Sequence, residues 1–321
     1  MRGFDQLGES ATLIIETTSR AGPTSTRSID PISLGQSTSR SERDHLSQFE
    51  IRPITPTIGA EIVGLDLAEP LDDETFAGVE RAFLDRQVLV FRNQDIPVDR
   101  VLEFARRFGP VSLPPIAPMH PDHPEVMVFE LTEPRGAGAD TWHVDAIYTK
   151  EPPKATILQA VTLPETGGDT YFGNMVAAYD ALSKPLRELL SDLRAVHDIS
   201  APMRRAVDKG IRKPEEFEAT CEKYPPVDHP LVRTHPETGH RSLFLAANST
   251  TEILGLRERE SELILPFLLQ HVTSGEFHCR VRWEPHTIAF WDQRCTLHYA
   301  VPDYCERRVM YRYSIEGEVP R

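Results

Sequence analysis

Cysteine, long apolar runs and positive charge are all scarce in this chain, and each scarcity closes off a class of function. Four cysteines (Cys221, Cys279, Cys295 and Cys305) are scattered through 321 residues with no CxxC pair. That pattern fits neither a disulfide scaffold nor a zinc knuckle, so the thiols read as free and the compartment as a reducing, cytoplasmic one. The longest apolar stretches, such as Gln87-Val88-Leu89-Val90-Phe91, fall far short of the ~20 residues of a spanning helix. Ala11-Thr12-Leu13-Ile14-Ile15 is too short for a signal-peptide core and lacks a strong basic flank, so neither membrane nor secretion is expected. Lys and Arg number 35 against 49 Asp and Glu, a net charge of −14. Nucleic acid is therefore a poor partner, although a small basic pocket for an anion remains open. No Gly-rich loop joins a strand to a helix, which removes support for Rossmann and P-loop nucleotide sites.

What is present divides the chain in two. Residues 1–48 hold a Ser-, Thr-, Arg- and Gly-rich stretch from Glu16 to Arg43 with almost no periodic apolar pattern, and read as a disordered extension. Residues 49–321 carry the periodicity of a globular domain. Acids after Leu71 open a helix running towards Arg86, and a second amphipathic helix runs from 97 to 108 before Gly109-Pro110. Residues 177–193 and 257–272 read as helical, and 201–228 as a polar, irregular insertion or lid. Short strands are expected at 87–92, 126–131, 279–283, 287–291 and 309–315. The fold class is mainly β with flanking helices (α+β), around a double-stranded β-helix, or jelly-roll, core.

Four clusters bear on chemistry. In Trp142-His143-Val144-Asp145, an extended backbone puts residues i and i+2 on one face, so His143 and Asp145 stand side by side. Phe290 to Ala300 is a strand and turn delivering His298, which a jelly roll can bring beside His143. Two His and one carboxylate on one face of a metal leave three positions open, as in non-haem Fe(II) oxygenases. On the last strand Arg308, Met310 and Arg312 share a face, the two guanidiniums about 13 Å apart along it. Inward guanidiniums demand anions, either the protein's own carboxylates or a ligand. Gly167-Gly168-Asp169-Thr170 offers a turn and a hydroxyl that can bond a carboxylate.

Together these clusters resemble the taurine dioxygenase family of Fe(II)/2-oxoglutarate-dependent dioxygenases. The resemblance spans residues 51 to 315. It rests on WHxD at 142–145, GGDT at 167–170, Thr234-His235-Pro236, WDxR…HxA at 291–300 and the closing RRxxxR. It implies His143, Asp145 and His298 as iron ligands. It implies Thr170 and Arg308 on the distal carboxylate of 2-oxoglutarate, Trp291 near that pocket, and Arg312 on an anionic substrate group. Fe(II), 2-oxoglutarate and O2 would then hydroxylate a small anionic compound (a taurine-like sulfonate, alkyl sulfate or aryloxyalkanoate), releasing succinate and CO2. Taurine-using members carry a His and a Tyr soon after the Phe-Gly that ends the second helix, and an Asn four residues before the first iron His. Here neither follows Phe108-Gly109, and Ala139 stands in place of the Asn. WDNR appears as WDQR, with Gln293. The stretch from Arg282-Trp283 through Asp303-Tyr304 is similar to the phenoxyalkanoate dioxygenases, which bind an aryl carboxylate in a more apolar pocket.

Tyr148, five residues past His143, lines a substrate cavity or packs in the core on equal grounds. His120 and His123 read as surface residues, and His197, His229, His235 and His240 as structural. Cys295 and Cys305 lack a base partner. Two alternatives share the scaffold: a jelly-roll zinc hydrolase using the same triad, and a metal-free, non-catalytic small-molecule-binding protein. The first has no use for two inward arginines or the GGDT turn, and the second has little reason to keep all three ligands. A homo-oligomer, dimer or tetramer, is expected.

Overall fold

Alternation along the strands organises this chain into layers. The computed structural model describes residues 49–114, 118–135 and 138–321; the extension expected over 1–48 lies outside the described residues. A seven-stranded sheet runs in the order Glu50–Pro53, Ala60–Val63, Val88–Phe91, Ile288–Asp292, Ala155–Thr162, Arg308–Ile315, Val126–Leu131. Its neighbours are antiparallel except Ala60–Val63 with Val88–Phe91. A parallel pair needs a crossover, and the helix Asp73–Arg86 supplies it. That helix starts where the Asp72 side chain accepts the Thr75 N–H at 2.7 Å, and ends where Gln87 turns left-handed with φ 64°.

One face of the large sheet packs against helices. Leu89, Phe91, Ile157, Ile288, Phe290, Tyr313 and Ile315 meet Phe83 of Asp73–Arg86 and Leu102 and Phe104 of Val98–Arg106. Phe83 stacks on Phe290 at 4.1 Å between ring centroids, and burying one such ring stabilises the fold by roughly 1.5–3 kcal/mol. The alternate residues Val88, Val90 and Trp291 turn inward against Phe172, Cys279 and Val281 of a second, three-stranded sheet: His278–Val281, Thr170–Asn174, Thr296–Ala300. The two facing sheets make the jelly roll. The period of two also directs Arg308, Met310 and Arg312 to the inner face while Tyr311, Tyr313 and Ile315 join the helix side.

Two local expectations need correction. Residues 177–193 are not one helix but parts of two, Met175–Asp180 and Lys184–Leu190, because Pro185 cannot donate to a continuing helical ladder. The supposedly irregular 201–228 contains the helices Ser200–Asp208 and Pro214–Lys223. Only Met203 is buried in the first and no residue in the second, so neither helix contributes a run of core residues. Among the described residues no helix is long and apolar enough to cross a membrane.

Candidate active site

His143 and His298 meet across an antiparallel bridge. Each backbone N–H donates to the other's carbonyl at 2.9 Å, which sets the imidazoles on one face with ring centroids 4.0 Å apart. Asp145, two residues on, joins them. Its Oδ1 lies 3.8 Å from His143 Nε2 and 3.9 Å from His298 Nε2. A metal with bonds near ~2.1 Å holds its ligands roughly 3–3.5 Å apart, so these atoms need close by only a few tenths of an ångström. His143 Nδ1 sits 2.7 Å from the Thr141 carbonyl, which fixes the proton there and turns the Nε2 lone pair inward.

All three side chains are buried, and their protonation suits a cation. Burial holds the His143 imidazole below its usual range, and burial together with the neighbouring His143 pushes His298 down to about 3. Burial alone would raise the Asp145 carboxyl. Arg312, the two imidazoles and the Gln293 amide outweigh it and hold the group at about 2. Two neutral imidazoles beside an ionised carboxylate are what a metal requires.

Thr170, Trp291 and Arg308 line one chamber with the triad, closed by Phe129, Leu158 and Tyr304. Arg308 is buried, donates Nη2 to the Gly168 carbonyl at 3.2 Å, and lies against the rings of Trp283 and Tyr304. Its Nε has no hydrogen-bond partner, and among the described residues no carboxylate forms an ion pair with it. Burial depresses its pKa, against the pull of Tyr304 and Asp169. A buried cation short of an anion is costly, and a carboxylate would meet that need. The Thr170 hydroxyl accepts the Trp283 indole N–H at 3.1 Å, which leaves its own proton to donate. Trp291 Nε1 is also buried without a partner. Gly168 has φ +72°, and a Cβ there would come within 3.2 Å of Arg308 Nε and Tyr304, so the GGDT turn makes room for the guanidinium. These bare donors fit 2-oxoglutarate's distal carboxylate.

A second chamber opens on the other side of the triad. Met127, Tyr148, Ile199, Met203 and Ile211 line it together with the polar Glu130, Arg212, Asn248 and Ser249, and it shares His143, Asp145 and Arg312 with the first. Tyr148 lines this chamber and packs on Ile199 and Met203. Arg312 stands at the junction, where its Nη1 donates to Asp145 Oδ1 at 2.9 Å and its guanidinium covers Phe129. The Asp145 contact is one that sequence reasoning did not include. It also missed Trp283 behind Thr170 and Gln293 behind Asp145.

A second buried cluster, His235, Asp292 and Cys295, pairs a His with an Asp in the same way but has a Cys in place of the second His. Arg294 clamps Asp292 with two hydrogen bonds, at 2.9 and 2.6 Å. His235 Nε2 meets Asp292 at 3.0 Å, while its Nδ1 accepts the N–H groups of Glu237 and Thr238. Cys295 is buried and its thiol is pushed well up, chiefly by burial. The structural reading of His235 fits this network.

The sequence profile of the Taurine catabolism dioxygenase TauD, TfdA family matches residues 50–314. An alpha-ketoglutarate-dependent sulfate ester dioxygenase of Pseudomonas putida is 36% identical over 290 residues, covering 86% of this chain and 92% of that protein. An (S)-phenoxypropionate/alpha-ketoglutarate-dioxygenase of Sphingobium herbicidovorans is 32% identical over 276 residues, 84% of this chain and 96% of that protein. The crystal structure of a taurine dioxygenase from Burkholderia xenovorans superposes with a TM-score of 0.73 at 35% identity, covering 85% of this chain and 91% of that one. On the strength of the profile, which spans both sheets and every residue of the triad and its chambers described above, the chain belongs to the Taurine catabolism dioxygenase TauD, TfdA family.

Proposed function

We propose that this Fe(II)- and 2-oxoglutarate-dependent dioxygenase hydroxylates an organic anion with an apolar body, and that an alkyl sulfate ester suits it better than taurine. The observation that carries the reading is the pair of chambers meeting at the triad, one holding Arg308, which has no carboxylate partner among the described residues, and the other placing Met127, Tyr148, Ile199, Met203 and Ile211 in one lining with Arg312. In this reading His143, Asp145 and His298 hold the iron. Thr170, Trp291 and Arg308 hold 2-oxoglutarate, with Arg308 as the bidentate partner of the distal carboxylate. Arg312 and Tyr148 face the prime substrate. When bound, Fe(II) with 2-oxoglutarate and O2 supplies the oxidising chemistry that hydroxylates a C–H bond and yields succinate and CO2.

The residues' part is to aim and to exclude water. Arg312 draws the anionic head towards the triad, and Ile199, Met203 and Ile211 take the tail. Ala139, where a taurine-type polar residue is absent, lines both chambers and adds to their apolar character. The sulfate ester dioxygenase of Pseudomonas putida supports this substrate class by its name and 36% identity. The zinc hydrolase and the non-catalytic binder fit neither the family nor the bare Arg308. A succinate-release screen over alkyl sulfates, aryloxy acids, sulfonates and taurine tests the proposal; taurine outperforming a medium-chain alkyl sulfate overturns it.

A cytoplasmic location and a homo-oligomer belong to the same proposal. Four free cysteines support the first. Exposed Leu263 and Phe267, one turn apart on the helix Glu258–Val272, support the second, and analytical ultracentrifugation decides it.

A further inference from the structure

Gln293 occupies the variable position of the WDxR motif, and its side chain is turned wholly inward, 1% exposed. Nε2 donates to Asp145 Oδ2 at 2.6 Å and to Thr156 Oγ1 at 2.9 Å, while Oε1 accepts the backbone N–H of Asp145 at 3.2 Å. The reverse amide orientation would set oxygen against carboxylate and NH2 against N–H, so the network admits one orientation. Thr156 adds its hydroxyl to Oδ2 at 3.3 Å. One oxygen of Asp145 is thus tied down on the protein side. The other, Oδ1, is the atom nearest both imidazole nitrogens, and it also takes Arg312 Nη1.

The platform behind Gln293 is rigid. Its backbone N–H donates to the Lys154 carbonyl at 3.0 Å. Its neighbours Asp292 and Arg294 form the closed network, and Thr296 Oγ1 donates to the Asp292 carbonyl at 2.6 Å. The same turn leads within five residues to His298. Gln293 therefore ties the carboxylate arm of the site, 148 residues away in sequence, to the turn that delivers the second imidazole.

We infer that Gln293 is a positioning residue that reserves Oδ1 of Asp145 for the metal and holds the carboxylate to one-oxygen ligation. The inference rests on the reading of His143, Asp145 and His298 as the ligand set. Hydrogen-bond partners behind metal ligands are worth roughly 10–100-fold in affinity, and Gln293 supplies two bonds to one ligand residue.

The test uses the metal alone. Co(II) is titrated into the full-length, metal-free chain by calorimetry and visible absorption, for wild type, Asp145→Ala, Gln293→Met and Gln293→Asn. Met keeps the length and apolar packing of Gln without its amide. The expected result is a tenfold to hundredfold weaker Co(II) affinity in Gln293→Met, with the amide of Gln293→Asn recovering part of the loss. Wild-type affinity in a folded Gln293→Met overturns the inference, as does a Gln293→Asn protein that binds no tighter than Gln293→Met. Equal Co(II) binding by wild type and Asp145→Ala would instead overturn the ligand assignment, a failure distinct from that of the amide clamp.

Discussion

Two buried clusters of His and Asp lie on neighbouring stretches of this chain, and they differ in what they leave unfinished. Around Asp292 the side chains of Asp292, Arg294 and His235 are partnered inside the protein: Arg294 takes both oxygens, and His235 is bonded at both nitrogens. Around Asp145 the Nε2 atoms of His143 and His298 have no closer acid than Oδ1 at 3.8 and 3.9 Å. Beyond them, the buried Arg308 Nε and Trp291 Nε1 have no hydrogen-bond partner. The pairing of His with Asp does not separate the clusters, although Cys295 stands where the other has a second His. Satisfaction does: a closed polar network stiffens a fold, and an open one waits for a ligand.

The largest expected effect breaks the comparison outright. His143→Ala or His298→Ala should abolish tight Fe(II) binding and bring turnover to background. His235→Ala should keep one metal per chain by elemental analysis. Near wild-type turnover in either triad variant would refute the ligand set.

Asp292→Ala sharpens the closed side. It strands Arg294, fully buried, with only Glu237 as a charged partner. Losing one half of a buried pair costs about 3–5 kcal/mol, which urea unfolding should report; a loss under about 1 kcal/mol would mean that Glu237 alone satisfies the guanidinium.

Arg308→Ala probes the open side. Without a bidentate partner for the distal carboxylate, a loss of about 2–5 kcal/mol should raise the KM for 2-oxoglutarate by tens to thousands of fold. Arg312→Ala, which also removes a partner of Asp145, should raise the KM of the prime substrate more than that of 2-oxoglutarate. A larger 2-oxoglutarate defect in Arg312→Ala would swap the two roles.

The smallest effect is a pH slope. Burial and the adjacent His229 hold His197 down to about 3, against 6.5 in an unfolded chain. The unfolded state therefore binds more protons between pH 6.5 and 3, and stability falls as pH drops through that window. From pH 6.5 to 5 this one group should cost roughly 1–2 kcal/mol. Depressed carboxyls such as Asp145 do not mask it, because their stabilisation is lost only below about pH 4. His197→Gln should flatten the melting-temperature slope across that range, and an unchanged slope would assign the acid sensitivity to other groups.

Much of this site was legible because strands announce their faces. Arg308, Met310 and Arg312 share a face of the strand Arg308–Ile315, and His143 and Asp145 come together although no strand covers them, His143 sitting in an isolated bridge to His298. The large sheet, its two covering helices and the jelly roll follow the same alternation. What sequence reasoning missed lies far apart along the chain. Gln293 meets Asp145 over 148 residues, Trp283 meets Thr170 over 113, and Arg312 meets Asp145 over 167. No local period encodes such pairs. The helices Ser200–Asp208 and Pro214–Lys223 escaped for a different reason: both are short, and only Met203 of the first is buried.

The placement of both arginines on one strand, Arg308–Ile315, has a consequence for how this enzyme can change. Hydrogen bonding to strands on both sides makes that strand a fixed ruler, with its two anion anchors set about 13 Å apart. Neither anchor can drift to suit a new compound without disturbing the other. The wall opposite is a different material: Pro202, Met203 and Ala206 come from one short helix, largely exposed on its outer side. Selection or engineering for a longer, shorter or aromatic tail should therefore collect in that helix, while the ruler stays as it is.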